Sequence, residues 1–597
     1  MTSETEDALD RRLSHRIRAL VAQLDGAPRL DAETLAAALA GPVSFDDVRA
    51  FVRFDRDAYA RVLVYRGERF ELRLLCWRPG QCSSLHGHGD AACAFRIVRG
   101  VAEEIVLGER DRAWPPGAVV EEVGLRVHQV RNPGPDPLIT LHAYSPPLPV
   151  NAPSARSGRS VVIVGGGLAG AALAHHLLQV GGPELRIEVV ERGPWLGRGV
   201  AYGVESESFR LNVPACGMSL EPEDPDDYVR FLGLSDRYAF TSRAAYGRYV
   251  AARLADSIRA SPAKLRVYRD EAIAATEDHV ELRDGRLEAD TIVLATGLSV
   301  GSSEWSPRVI DAWDECGLAT LSRDARILVV GSGLSALDVI AWLDAHRFVG
   351  HALMVSRRGL LPHPHTPEPP GPPLPTEAIE EAPTELRPLI RWVRERIEAT
   401  DPWQHGADAL RPHVARLYAG LSPADRRRFL VHLRPYWDVF RHRAPADALA
   451  RVFDWERAGR LERCAARVAA TRETSGAVHV TLQHRDGRAT SHEVDAIVRC
   501  TGPRQSAEDS ALWRSLLARG LARRDPVGIG VETDATGRIV DAAGRPSERL
   551  FGLGWVERAS RWETTAAPDI ISRARQLARR IATADAASRA VMRHGLP

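Results

Sequence analysis

A multidomain chain is predicted: a small all-β barrel with a helical cap comes first, and an α/β half built on two dinucleotide-binding turns, interrupted by a helical insertion, follows. Three observations predict it. His86, His88 and His128 are spaced as strand residues that face one cavity, and the succession of strand, glycine turn and helix occurs twice, from Ser160 and again from Arg326. The third is size, because 597 residues with 44% hydrophobic content imply several domains, each with a core of its own.

The cap is read from residues 6–53, where Leu13, Ile17, Leu20, Val21 and Leu24, and then 35–39, recur at helical spacing. In the barrel, alternate strand residues share a face, so His86-Gly87-His88 presents two imidazoles to one cavity. His128, in Val-His-Gln-Val before the turn Asn132-Pro133-Gly134-Pro135, adds a third near the end of a short strand. Imidazole ligands suit Zn, Cu, Fe or Ni, and three of them leave coordination positions open for catalysis or small-molecule binding.

The surrounding residues narrow that choice. Cys76-Trp77-Arg78-Pro79-Gly80-Gln81, Ser83-Ser84-Leu85-His86-Gly87-His88, Cys93 and Leu141-His142-Ala143-Tyr144-Ser145-Pro146-Pro147 resemble, over residues 45–148, the thiol dioxygenases of the cupin superfamily and cysteine dioxygenase in particular. The resemblance implies Fe(II) on His86, His88 and His128, a catalytic Tyr144 beside Cys93, to which it is cross-linked in many members, and an outer relay of Thr140, His142 and Tyr144 along one strand. It also implies that Arg61, in Tyr59-Ala60-Arg61, grips the substrate carboxylate, which favours cysteine, with O2 as co-substrate. Two residues depart from the family pattern: Gly87 replaces an aspartate between the histidines, and Cys82 replaces a glycine.

Residues 151–159 form a short polar linker. Beyond it the strand Ser160-Val161-Val162-Ile163-Val164 runs into Gly165-Gly166-Gly167-Leu168-Ala169-Gly170 and an Ala/Leu helix, the Rossmann-like dinucleotide fingerprint in its required context. Gly165, Gly167 and Gly170 allow the tight turn and the approach of a pyrophosphate to the helix amino terminus, and Glu191, 21 residues past Gly170, is placed for an adenine ribose. The second unit repeats the pattern with Gly331, Gly333 and Ala336. At the acidic position, 21 residues past Ala336, stands Arg357, followed by Arg358, which suits a 2′-phosphate and hence NADPH rather than NADH.

Two such units, joined by strands ending in Ala295-Thr296-Gly297 and Cys500-Thr501-Gly502, look like the two-dinucleotide-binding-domain flavoproteins. Gly199-Val200-Ala201-Tyr202, Leu211-Asn212-Val213-Pro214-Ala215, the run from His432 to Asp438 and the run from Trp562 to Asp569 resemble more closely a bacterial FAD/NAD(P)-binding family typified by YdhS, which implies FAD. The expected division is 1–150 for the dioxygenase-like cupin, 160–320 and 481–597 for the FAD-binding domain, and 321–480 for the NAD(P)H-binding domain with a helical insertion at 376–470. In that insertion Tyr436-Trp437-Asp438 and Arg441-His442-Arg443 either line a pocket or belong to a packed helix with a solvated face.

A formal charge of +1, from 79 basic and 78 acidic residues, leaves no footprint for nucleic acid or an anionic membrane. Seven scattered cysteines without a Cys-x-x-Cys pair argue against a disulfide framework, and Cys216 and Cys500 are expected to be packing residues. With an acidic amino terminus and no membrane-length apolar run, cytoplasmic residence is the expectation. The reading that follows is sulfur oxidation in two steps: dioxygenation of cysteine, then a flavin monooxygenase acting on the product. Two alternatives stand beside it, an auxiliary flavin reductase that keeps the iron ferrous and a cysteine or redox sensor.

Overall fold

The structure is a computed structural model that describes residues 12–56, 58–88, 91–122, 126–148, 158–297, 308–366, 369, 371–474, 476–502 and 510–594, with side chains as far as 583. The acidic amino terminus and most of the expected linker lie outside the described residues.

The cap consists of the helices His15–Asp25 and Ala32–Leu39 and a short turn of helix, Phe45–Val48. Ser14 and Asp31 start the first two by accepting hydrogen bonds from the Ile17 and Thr34 N–H groups. Their apolar stripe, with Ile17, Leu20, Leu24, Leu35 and Leu39, packs on one face of a five-stranded antiparallel sheet. That sheet contains β1 (Ala60–Arg66), β2 (Glu71–Trp77), β3 (Ala92–Arg99), β6 (Val119–Glu122) and β8 (Leu138–Ser145) in the order β1-β2-β8-β3-β6. A smaller sheet, β5-β4-β7, from β4 (Ala102–Val106), β5 (Arg112–Trp114) and β7 (His128–Arg131), completes the barrel. Strand β8 shows how the sequence assigns faces: Ile139, Leu141 and Ala143 join the cap core, so Thr140, His142 and Tyr144 face the other side.

The flavin half begins with apolar strands covered on both faces, as parallel strands must be. The first sheet runs β11-β10-β9-β15-β24-β23, from β9 (Ser160–Val164), β10 (Arg186–Val190), β11 (Lys264–Tyr268), β15 (Thr291–Leu294), β23 (Arg538–Val540) and β24 (Pro546–Gly552). A meander of β12 (Ala272–Ala275), β13 (His279–Leu282) and β14 (Gly285–Glu288) packs beside it. The second sheet runs β16-β22-β17-β18-β19-β20-β21, from β16 (Val309–Asp311), β17 (Arg326–Val330), β18 (His351–Ser356), β19 (Leu461–Glu473), β20 (Val478–His484), β21 (Ala489–Val494) and β22 (Ala496–Arg499).

Three expectations need correction. The chain does not return to the first unit at 481: β20, β21 and β22 all belong to the second sheet, and β16 joins it before 321. The insertion was extended to 470, yet from Leu461 the chain is strand β19, paired in parallel with β18 through Ala352 and Leu461. Finally, His86 and His88 do not lie on a regular strand. Their segment is tied to β7 by the isolated bridges Cys82 to Arg131 and His86 to His128 and by the Ser83 N–H on the Val130 carbonyl. Between the two bridges it has three residues against two on β7, so the pairing is bulged.

Barrel and flavin half share a core: Leu85, Ile105 and Val127 of the barrel pack in the same apolar cluster as Leu265 and Val267 of β11. Among the described residues no helix is long and apolar enough to cross a membrane.

Candidate metal centre and nucleotide turns

The donor atoms of His86, His88 and His128 all lie within 4.8 Å of one another. His88 Nε2 and His128 Nε2 face each other at 3.0 Å, an arrangement that needs a proton or a metal ion between them because two lone pairs repel. Two metal–nitrogen bonds of about 2.1 Å at a right angle span roughly that distance, so the set fits one ion. Backbone and carboxylate partners fix the tautomers. His86 Nδ1 donates to the Ser84 carbonyl at 2.9 Å and His128 Nδ1 to Glu104 Oε1 at 2.8 Å, which leaves each Nε2 as the ligating atom. Burial, followed by the charges of its neighbours, pulls His86 well below the usual histidine value and takes His88 to about 3. Both are held neutral, as ligands must be.

Sequence reasoning missed two residues here, Glu104 and Glu122. Glu122 Oε1 stands 2.9 Å from His128 Nδ1, and Trp114 Nε1 donates to Glu104 Oε2 at 2.9 Å. Burial alone would lower His128, but the two carboxylates prevail and lift it to about 9. Glu104, despite burial, is held at about 2 by the hydrogen bonds it receives, while burial pushes Glu122 up. One signal was available: in β4, Ala102, Glu104 and Val106 alternate, and a carboxylate on the inward face of a strand requires a partner.

Beside the histidines, Tyr144 and Cys93 are directly opposed across β8 and β3, and burial raises both hydroxyl and thiol. The Tyr144 ring lies 5.7 Å from that of His88. The expected relay is continuous and one residue longer than foreseen: Trp77 Nε1 donates to Thr140 Oγ1 at 3.1 Å, Thr140 Oγ1 meets His142 Nε2 at 2.8 Å, and Tyr144 Oη meets His142 Nδ1 at 3.2 Å. Tyr59 stacks on Trp77 with ring centroids 4.0 Å apart. Arg61 opens to solvent from β1, and its charge acts on His88, His142 and Tyr144.

In the flavin half, both glycine turns fold alike. Gly165 (φ 106°) and Gly331 (φ 119°) take a conformation that other residues rarely adopt, and a Cβ on either would stand 2.3 Å from the carbonyl oxygen of Ala295 or Cys500. A Cβ on Gly170 would stand 1.9 Å from the Gly165 oxygen, whereas Ala336 is accommodated in the core. Gly167 and Gly333 are the N-caps of the helices Leu168–Val180 and Leu334–Ala345, and around Gly333 there is open space. Glu191 folds onto the first turn and accepts from the Gly166 and Gly193 N–H groups at 2.7 Å each. Arg357 is exposed just past β18, and Arg358 lies over the Tyr436 ring at 5.4 Å.

The insertion is stapled to the segment before the carboxyl-terminal helix: Trp437 Nε1 and Arg441 Nε donate to the two Glu563 oxygens at 2.8 and 2.6 Å. Its neighbour Trp562 is held at φ 60°. Cys500 is buried and Cys216 half-buried, and both are free.

Comparison with known proteins agrees with both halves. Residues 5–155 match the family model described as cysteine dioxygenase type I, and residues 162–299 match that described as FAD-NAD(P)-binding. Cysteine dioxygenase type 1 of Danio rerio is 34% identical over 116 residues, covering 17% of this chain and 58% of that protein. The human enzyme of the same name is 30% identical over 116 residues, covering 16% and 56%. The chain thus spans little more than half the length of these relatives. A solved structure of an ornithine N-hydroxylase from Kutzneria sp. 744 aligns with 72% of this chain and all of its own, at a TM-score of 0.51 and 17% identity, a likeness of fold.

Proposed function

From a chain that carries a cysteine dioxygenase type I domain followed by an FAD/NAD(P)-binding flavoprotein fold, we propose a bifunctional sulfur-oxidising enzyme. The observation that carries the reading is the convergence of three imidazole donors with Tyr144 and its cross-strand partner Cys93 alongside. His86, His88 and His128 would hold ferrous iron, which when bound supplies the Lewis acidity that ionises a thiol and the electrons that activate O2.

The residues of the chain do the rest. The Arg61 guanidinium receives the cysteine carboxylate, Tyr144 Oη supplies a hydrogen bond at the reacting end, and the relay from Trp77 to His142 fixes the direction of that hydroxyl. Glu104 fixes His128 with Nε2 inward. Both oxygen atoms of O2 enter the product: RSH + O2 gives RSO2H, with no external reductant.

The turn from Gly165 to Gly170 with Glu191 would hold FAD, and that at Gly331, Gly333 and Ala336 with Arg357 and Arg358 would hold NADPH. Flavin reduced by NADPH supplies the electrons for insertion of one oxygen atom. The balanced second step is RSO2H + O2 + NADPH + H+ giving RSO3H + NADP+ + H2O, so sulfinate becomes cysteate; the amino nitrogen of the product is the other acceptor. The direct contact of the flavin half with the metal segment, Leu85 N–H to Leu265 O at 2.8 Å, supports a second reading in which the flavin returns oxidised iron to the ferrous state.

Mass spectrometry of aerobic reactions with cysteine separates these. The expected products are sulfinate without NADPH and cysteate with it, and no oxidation by His86→Ala. Sulfinate alone in both conditions, with NADPH consumed only to reduce ferric protein, selects the reductase. Unchanged cysteine oxidation by His86→Ala overturns the metal assignment.

A further inference from the structure

Strand β11 is the edge of the first flavin sheet, so its outward backbone groups need partners from elsewhere. The barrel supplies them, and the residues it uses are the immediate neighbours of two metal ligands. Leu85, just before His86, donates its N–H to the Leu265 carbonyl at 2.8 Å. Gln129, just after His128, closes a two-point amide clamp on Val267: its Nε2 donates to the Val267 carbonyl at 2.7 Å and its Oε1 accepts from the Val267 N–H at 2.9 Å. Gln129 is fully buried. The stretch 82–88, which carries His86 and His88, belongs to no regular strand and meets β7 in isolated bridges.

Both departures from the dioxygenase pattern lie on this same face. A Cβ at Gly87 would stand 3.2 Å from the Arg126 carbonyl oxygen and 3.7 Å from Cγ of Arg259, a residue of the flavin half. Cys82 feels the charge of Arg266, from β11 itself. Away from the ligands, the docking is held by Arg269, whose guanidinium pairs with Asp111 at 2.6 and 3.1 Å.

We propose that β11 of the flavin half is a working part of the metal centre, and that Gln129 is the positioning residue through which β11 holds His128 in ligating register with His86. Barrel and flavin sheet then form one mechanical unit, in which a shift of β11 is felt at the ligands. The inference rests on the reading of the three histidines as a metal set.

Cobalt(II) titration of the full apo chain, followed through its visible ligand-field bands, tests both and tells them apart. Gln129→Met, which keeps the length and removes the clamp, should weaken cobalt binding by about 10- to 100-fold, the effect of losing an outer-shell partner. It should also change the bands and speed hydrogen exchange in residues 82–88, with FAD content unchanged. Arg269→Ala, which loosens the docking away from the ligands, should bind cobalt as wild type does. If Gln129→Met does not fold, Gln129→Asn, which keeps the amide but shortens its reach to Val267, should show a loss in the same direction. Cobalt affinity and bands equal to wild type in a folded Gln129 variant overturn the proposal, since Gln129 would then only join domains. Equal cobalt binding by His86→Ala and wild type overturns the histidine reading instead.

Discussion

The metal centre and the nucleotide turns are built on opposite principles. In the barrel, polar partners hold the site: His86 is fixed by a backbone carbonyl, His128 by a carboxylate, and Tyr144 beside them by a relay already complete in the chain. In the flavin half the backbone holds it, with glycines whose value is the space they leave and helix amino termini that carry no side-chain cap and so suit an anion. The first kind of site is sensitive to polar chemistry at buried positions. The second is sensitive to a single carbon atom.

The largest effect is therefore expected from the smallest substitution. Gly170→Ala drives a methyl into the Gly165 carbonyl, an overpacking that costs about 1–3 kcal/mol or more and closes the turn, so the purified protein should lack the flavin absorbance. Gly333→Ala, which meets no atom within 4 Å, should retain both FAD and wild-type melting, and a loss of stability equal to that of Gly170→Ala would break the contrast. Next comes Glu104→Gln. The amide can still accept from His128, but its N–H2 faces the Trp114 N–H, and the ligand loses one of its two carboxylate partners. Ferrous affinity by anaerobic titration should fall about 10- to 100-fold, with secondary structure unchanged. The smallest is Arg357→Ala, where loss of one charge-assisted contact of about 2 kcal/mol should raise KM for NADPH roughly thirty-fold and leave that for NADH unchanged. An equal rise for both nucleotides would place Arg357 outside the 2′-phosphate site.

What was legible in the sequence follows from the same division. Local periodicity and turn chemistry carry the cap, the relay of Thr140, His142 and Tyr144 and both glycine turns, because each is decided within about ten residues. Glu104 was readable in principle, as an inward carboxylate on β4, but its partner His128 is 24 residues away. The docking of Gln129 on Val267 spans 138 residues and leaves no periodic trace. The domain return was misplaced for a related reason: β20 and β21 are a polar-faced hairpin that extends the second sheet, and alternation alone does not say which sheet a hairpin joins.

The covered edge of β11 also bears on how the chain avoids misassembly. An open edge beside parallel strands is a template for pairing with another copy, and parallel sheets form slowly because their partners are distant in the chain. The barrel is synthesised first. Leu85 and Gln129 precede Leu265 and Val267 in the chain, so the hazardous edge is offered a partner on its own chain as soon as it emerges. In this light the amino-terminal domain is also a cover for the edge of the sheet that follows it, quite apart from any chemistry it performs.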